Sequence, residues 1–136
     1  MSWDSVAAVP TVLLATDADE VHDEVDAALG GDDTTVVRVR AGAEVRSATA
    51  RLDPDLVILD LQIGNMGGAA TALDLRLEES AGRLGHQRIL LLLDRKADVF
   101  VARRCGADAW VHKPLDALRL RRAAEALLGA PATVDR

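Results

Sequence analysis

At 136 residues and 49% apolar content, the chain is sized for one domain that buries its own core without disulfides or metal staples. Its single cysteine, Cys105, excludes an internal disulfide and a cysteine-built zinc site, and points to a reducing, cytoplasmic setting. A net charge of −6 opposes non-specific binding to nucleic acid, so no direct DNA binding is expected.

Residues 1–10 carry no Lys or Arg and too short an apolar run for a signal peptide, and they read as an N-terminal extension. Thr11 to Ala15 is continuously apolar from Val12 onward and predicts a buried strand. Asp17 and Asp19 stand where a helix can start; Val21, Val25, Ala28 and Leu29 then recur at helical spacing, and Gly30-Gly31 closes the segment. Thr34 to Val39, rich in β-branched residues, predicts a second strand, and Val45, Ala48 and Leu52 mark one face of a weaker helix.

Asp53-Pro54 breaks the chain before Leu56, Val57, Ile58 and Leu59, a second continuous apolar strand that ends at Asp60. A helix over Gly68 to Ser80 is predicted to bury Ala70, Leu73 and Leu77, with Gly82 and Gly85 at its exit. Ile89 to Leu93 is the fourth strand and ends at Asp94. This longest apolar stretch is far short of the roughly twenty residues that span a membrane, so a soluble protein is expected. A short helix from about Ala97 to Cys105 stops at Gly106, a strand runs through Ala109, Trp110 and Val111, and Pro114 ends it. The last helix begins near Asp116, packs Leu120, Ala124, Leu127 and Leu128, and ends at Gly129, leaving residues 130–136 as a tail.

Strands apolar on both faces, alternating with amphipathic helices, call for a parallel sheet covered on both sides and joined by right-handed crossovers. Ligands of such sheets bind at the carboxyl ends of the strands. Those ends carry Thr16-Asp17, Asp60, Asp94 and Lys113, so three carboxylates and one lysine converge. Close carboxylates repel and need a cation or a shared proton. Mg²⁺ suits hard oxygen ligands and keeps several waters, which makes Asp17, Asp60 and the backbone carbonyl of Gln62 candidate ligands. Taken singly, each Asp reads equally well as a turn or helix-cap residue.

Asp55-Leu56-Val57-Ile58-Leu59-Asp60-Leu61, followed by Met66-Gly67-Gly68, is similar to the phosphoacceptor strand and loop of response-regulator receiver domains. Gly106-Ala107-Asp108-Ala109-Trp110-Val111-His112-Lys113-Pro114 is similar to the same family's final strand, and the resemblance spans Thr11 to Leu128. It implies a CheY-like, flavodoxin-like α/β fold over residues 11–129, a doubly wound five-stranded parallel sheet in the order 2-1-3-4-5, with a cis Lys113-Pro114 bond. It further implies that Asp60 accepts a phosphoryl group from a histidine kinase or phosphotransfer protein, with Mg²⁺ on Asp17, Asp60 and Gln62 and with Lys113 pairing the phosphoryl group. Phosphoryl transfer needs little more than an aligned carboxylate and cations on the equatorial oxygens.

The chain departs from the family pattern at Thr16, where the first of two adjacent acids usually stands, and at Asp94, where a Ser or Thr hydroxyl meets the phosphoryl group. The first departure weakens the expected Mg²⁺ site and the second places a repelling charge in the pocket. The segment from Asp94 to Gly106 is also shorter than is usual, and Gly64 replaces a frequent proline. Trp110 matches the aromatic that turns inward on activation, without its partner hydroxyl.

These departures keep open an atypical interaction module that works without phosphorylation through a modified acidic pocket. A Mg²⁺-dependent phosphohydrolase lacks a general acid two residues after Asp60, where Gln62 stands. Nucleotide or cobalamin binding lacks a G-x-G-x-x-G after the first strand and a histidine close behind Asp60. The domain is therefore expected to signal, not to act as an enzyme.

With only a tail after Gly129, output is expected through contact with an unidentified protein. The expected surface combines the helix from Asp98 to Cys105, strand five with an exposed Trp110, and the last helix with Arg119 and Arg122. The last two helices and strand five are also the candidate face for a homodimer. The remaining histidines, His22, His86 and His112, read as surface residues, Cys105 as packing, and Arg119, Arg121 and Arg122 as a solvated helix face.

Overall fold

Each apolar run becomes a strand in the structure, a computed structural model that describes residues 9–129. Most of the expected N-terminal extension and the expected C-terminal tail lie outside the described residues. The strands are β1 (Thr11–Ala15), β2 (Thr35–Val39), β3 (Leu56–Asp60), β4 (Ile89–Leu93) and β5 (Ala109–His112). Between and after them run α1 (Asp19–Leu29), α2 (Val45–Leu52), α3 (Gly68–Ser80), α4 (Asp98–Arg104) and α5 (Ala117–Leu128). All four pairings are parallel, in the order β2-β1-β3-β4-β5, so the chain reverses its direction of travel between β1 and β3.

Because successive strand residues point to opposite faces, each apolar run feeds two cores at once. Leu13, Val57, Leu59, Leu91 and Leu93 pack with α2, α3 and α4, whereas Val12, Leu14, Ile58, Leu90 and Leu92 pack with Val21 and Val25 of α1 and Leu120 and Ala124 of α5. Helix α5 starts where its sequence provides a cap: the Asp116 carboxylate accepts from the N–H groups of Leu118 and Arg119.

The structure corrects the expected face of α3. Thr71, Ala72, Leu75 and Glu78 face the sheet, while Ala70, Leu73 and Leu77 lie outward, Leu77 with 66% of its surface exposed. Glu78 tolerates the inward position because Arg83 clamps its two oxygens at 2.9 and 2.8 Å and holds its carboxyl below the usual range. That pairing closes across the helix end, where the spacing of apolar residues carries no trace of it. Three smaller differences concern boundaries. Thr34 is not in β2 but forms an isolated bridge to Gly31. A 3₁₀ turn over Gly42–Glu44 leads into α2. Helix α4 runs Asp98–Arg104 where Ala97 to Cys105 was expected, and Asp98, on the face expected to be exposed, is buried.

Candidate functional site

Asp60 is the last residue of β3, and the burial that makes that strand also buries its carboxylate, which is 2% exposed. Three donors hold it. Lys113 Nζ donates to Oδ1 at 2.7 Å, the Gln62 backbone N–H donates to Oδ1 at 3.1 Å, and the Thr16 hydroxyl donates to Oδ2 at 2.7 Å. The loop behind it passes close: a Cβ on Gly68 would lie 2.7 Å from the Asp60 carbonyl oxygen, so only glycine fits there.

Thr16 is fully buried at the end of β1. Its Oγ accepts from the Ala18 N–H at 3.1 Å, which leaves the hydroxyl proton for Asp60 and fixes its direction. Arg38 of β2 reaches over this turn, donating from Nε to the Thr16 carbonyl at 2.9 Å and from Nη1 to Asp19 at 2.8 Å. Asp17 is exposed beside it, and its Oδ2 accepts from the Gly64 N–H at 3.0 Å. Proline at position 64 could not make that bond, so the glycine there couples the β1 turn to the β3 turn.

Across the site, Lys113 Nζ also donates to Asp94 Oδ1 at 3.2 Å. Asp94 is exposed and its carboxylate lies on the ammonium, so the repulsion expected at this position is offset in part by a direct ion pair. Burial works against the charge of Lys113, but the hydrogen bond and charge of Asp60, joined by those of Asp94, outweigh it and raise the pKa of its ammonium. The Lys113-Pro114 bond is cis, as the resemblance implied.

The strand ends thus bring Thr16, Asp17, Asp60, Gln62, Asp94 and Lys113 together. Among the described residues no three His, Cys, Asp or Glu form a cluster that could hold a metal. Asp17, Asp60 and the Gln62 carbonyl would be the hard-oxygen donors for Mg²⁺, a cation that takes one or two carboxylates and keeps several waters.

Trp110, against expectation, is half-buried: it packs on the core formed with α4, with the Arg103 guanidinium 5.7 Å from its ring centroid. His112, expected at the surface, is also half-buried, and its Nε2 is buried without a partner. Cys105 is packed in the core, as expected. Sequence reasoning missed Asp98, whose Oδ2 accepts from the N–H groups of Asp94 and Arg95 at 3.1 and 2.8 Å. An Asp four residues after a strand-end Asp, at the start of a short helix, was the available signal. It also missed Arg38, a charged residue in an otherwise apolar strand.

The family model for the response regulator receiver domain matches residues 12–125. The chain belongs to that family. The receiver is 39% identical over 105 residues to a protein-glutamate methylesterase/protein-glutamine glutaminase from Anaeromyxobacter dehalogenans; the match covers 76% of the chain but only 29% of that relative. Among solved structures, the activated N-terminal receiver domain of RstA from Klebsiella pneumoniae superposes with a TM-score of 0.77 at 26% identity, covering 88% of this receiver and 99% of that chain. The chemotaxis response regulator CheY4 of Vibrio cholerae gives 0.77 at 19% identity, with 88% and 99% covered, a likeness of fold. Receivers are signalling modules that work with histidine kinases or phosphotransfer proteins. No helix among the described residues is long and apolar enough to cross a membrane.

Proposed function

We propose that this receiver accepts a phosphoryl group on Asp60 from a phosphohistidine of a kinase or phosphotransfer protein and passes the signal on by protein contact. The observation that carries the reading is the 2.7 Å pair between Lys113 Nζ and a carboxylate buried at the carboxyl end of β3. An Asp60 oxygen forms the new O–P bond as the donor's P–N bond breaks and the imidazole leaves. Lys113 neutralises the equatorial oxygens as they arrive. Thr16 and the Gln62 N–H hold the carboxylate plane while this happens.

Mg²⁺, held by Asp17, Asp60 and the Gln62 carbonyl, would supply further positive charge to the transferring group. With Thr16 in place of an acid, that ion would be held weakly. The output contact is proposed to use α4, β5 and α5, with Trp110 stiffening this face from within, as its packing on the core supports.

Intact-mass measurement after incubation with acetyl phosphate and Mg²⁺ tests the reading. A low-occupancy phosphoryl adduct is expected on the wild type, none on Asp60→Asn, and a higher occupancy on Asp94→Thr, which exchanges a repelling carboxylate for a donor. An adduct of equal size on Asp60→Asn would refute it, as would no adduct on either of the other two proteins.

A further inference from the structure

The loop between β4 and α4 is tied down from two sides. From the site, Lys113 Nζ donates to Asp94 Oδ1 at 3.2 Å while it holds Asp60 at 2.7 Å. From below, Asp98, only 3% exposed, accepts the N–H groups of Asp94 and Arg95 on its Oδ2, and its Oδ1 stands 3.5 Å from the Arg95 guanidinium. The backbone of Asp94 is thus fixed by one carboxylate and its side chain by one ammonium. An ammonium has three protons, and Asp60 and Asp94 take two of those on Lys113.

We infer that Asp94 and Asp98 form a latch that holds the β4–α4 loop on Lys113 while Asp60 is unmodified, and that phosphorylation of Asp60 opens it. The release half rests on the reading of Asp60 as phosphoacceptor; the latch itself does not.

The physical argument is competition for one cation. Forming the O–P bond on Asp60 converts a single negative charge into a group of nearly two, with three strong acceptor oxygens in reach of Lys113. The ammonium turns to the larger charge, and Asp94 is left facing a like charge across the same pocket. Its carboxylate then leaves for solvent, to which it is already exposed, and takes the loop's outer anchor with it. The first turn of α4 follows that loop and carries Phe100, 69% exposed, and Val101. Release therefore changes how an apolar surface is presented, with the unmodified protein as the ordered state.

Residue-resolved hydrogen exchange at Arg95 to Val99 tests both halves, with intact mass read on the same samples. Asp94→Ala is expected to speed exchange there by about 1.5- to fivefold, the size of one partly exposed ion pair, while amides of Leu13 and Leu91 in the core stay unchanged. Acetyl phosphate and Mg²⁺, which transfer the phosphoryl group with loss of acetate, are expected to speed the same amides of the wild type in proportion to the adduct, and to add nothing to Asp94→Ala. Unchanged exchange in Asp94→Ala overturns the latch. Slower exchange in the phosphorylated wild type overturns the release. If no adduct forms, the phosphoacceptor reading fails and the release with it, while Asp94→Ala alone still decides the latch.

Discussion

Replacing Lys113 by Met keeps the length of the side chain but removes the cation from a carboxylate that stays buried. Breaking a fully buried pair this way costs about 3–5 kcal/mol. Here the side chain of Lys113 is 21% exposed, and Asp60 retains the Thr16 hydroxyl at 2.7 Å and the Gln62 N–H at 3.1 Å. The expected cost is therefore lower, about 2 kcal/mol, or roughly 6–12 °C in Tm for a domain of this size. Adding Asp60→Asn removes the stranded charge, so the double variant is expected to be more stable than Lys113→Met by at least about 1 kcal/mol. Urea unfolding of wild type, both single variants and the double variant gives the cycle directly, provided the m-values agree. A double variant no more stable than Lys113→Met would refute the view that Lys113 is there to neutralise Asp60.

The corrected face of α3 makes a paired prediction: Leu75→Ala, fully buried, is expected to cost about 2–5 kcal/mol, and the exposed Leu77→Ala to stay within about 0.5 kcal/mol, both by urea unfolding. The pH dependence of the urea midpoint follows from the shifted groups. The backbone N–H groups of Arg95 and Asp94 lower the pKa of Asp98, so its contribution is complete above its ordinary value of 3.8 and is lost as pH falls through the lower folded value. Lys113 is shifted upward, so its contribution is complete below 10.5 and is lost as pH rises through the raised value. The alkaline loss is expected to flatten in Lys113→Met and the acid loss to flatten in Asp98→Asn.

The strands and the residues at their ends were legible because five apolar runs, each ended by a polar residue, leave a parallel sheet little choice of edge. That alone placed Asp17, Asp60, Asp94 and Lys113 together. What stayed hidden was every interaction in which a backbone group or a distant arginine decides the outcome. The face of α3 turned on Arg83 accepting the cost of a buried Glu78, and the direction of Asp94 turned on Asp98 capping its N–H. Gly64 looked like a lost proline, yet its N–H is the partner of Asp17. Trp110 looked exposed because strand five is an edge strand, but α4 packs close enough to cover half of it.

The two departures at the site belong to one change in charge. Receivers usually place two adjacent acids at the end of β1 and one on β3, with a hydroxyl after β4; here β1 contributes one acid, β3 one and β4 one. The number of carboxylates is the same, but one has moved from the side where a divalent cation would sit to the side where Lys113 sits. On the β1 side the Thr16 hydroxyl now gives Asp60 a hydrogen bond that needs no metal. On the β4 side Lys113 has two carboxylates to satisfy instead of one. A weaker hold on Mg²⁺, as proposed, and the Lys113–Asp94 tie on the β4–α4 loop would then be two consequences of moving one negative charge across the pocket. Restoring either position alone alters the charge count of the pocket; Thr16→Asp with Asp94→Thr keeps the count and restores its placement.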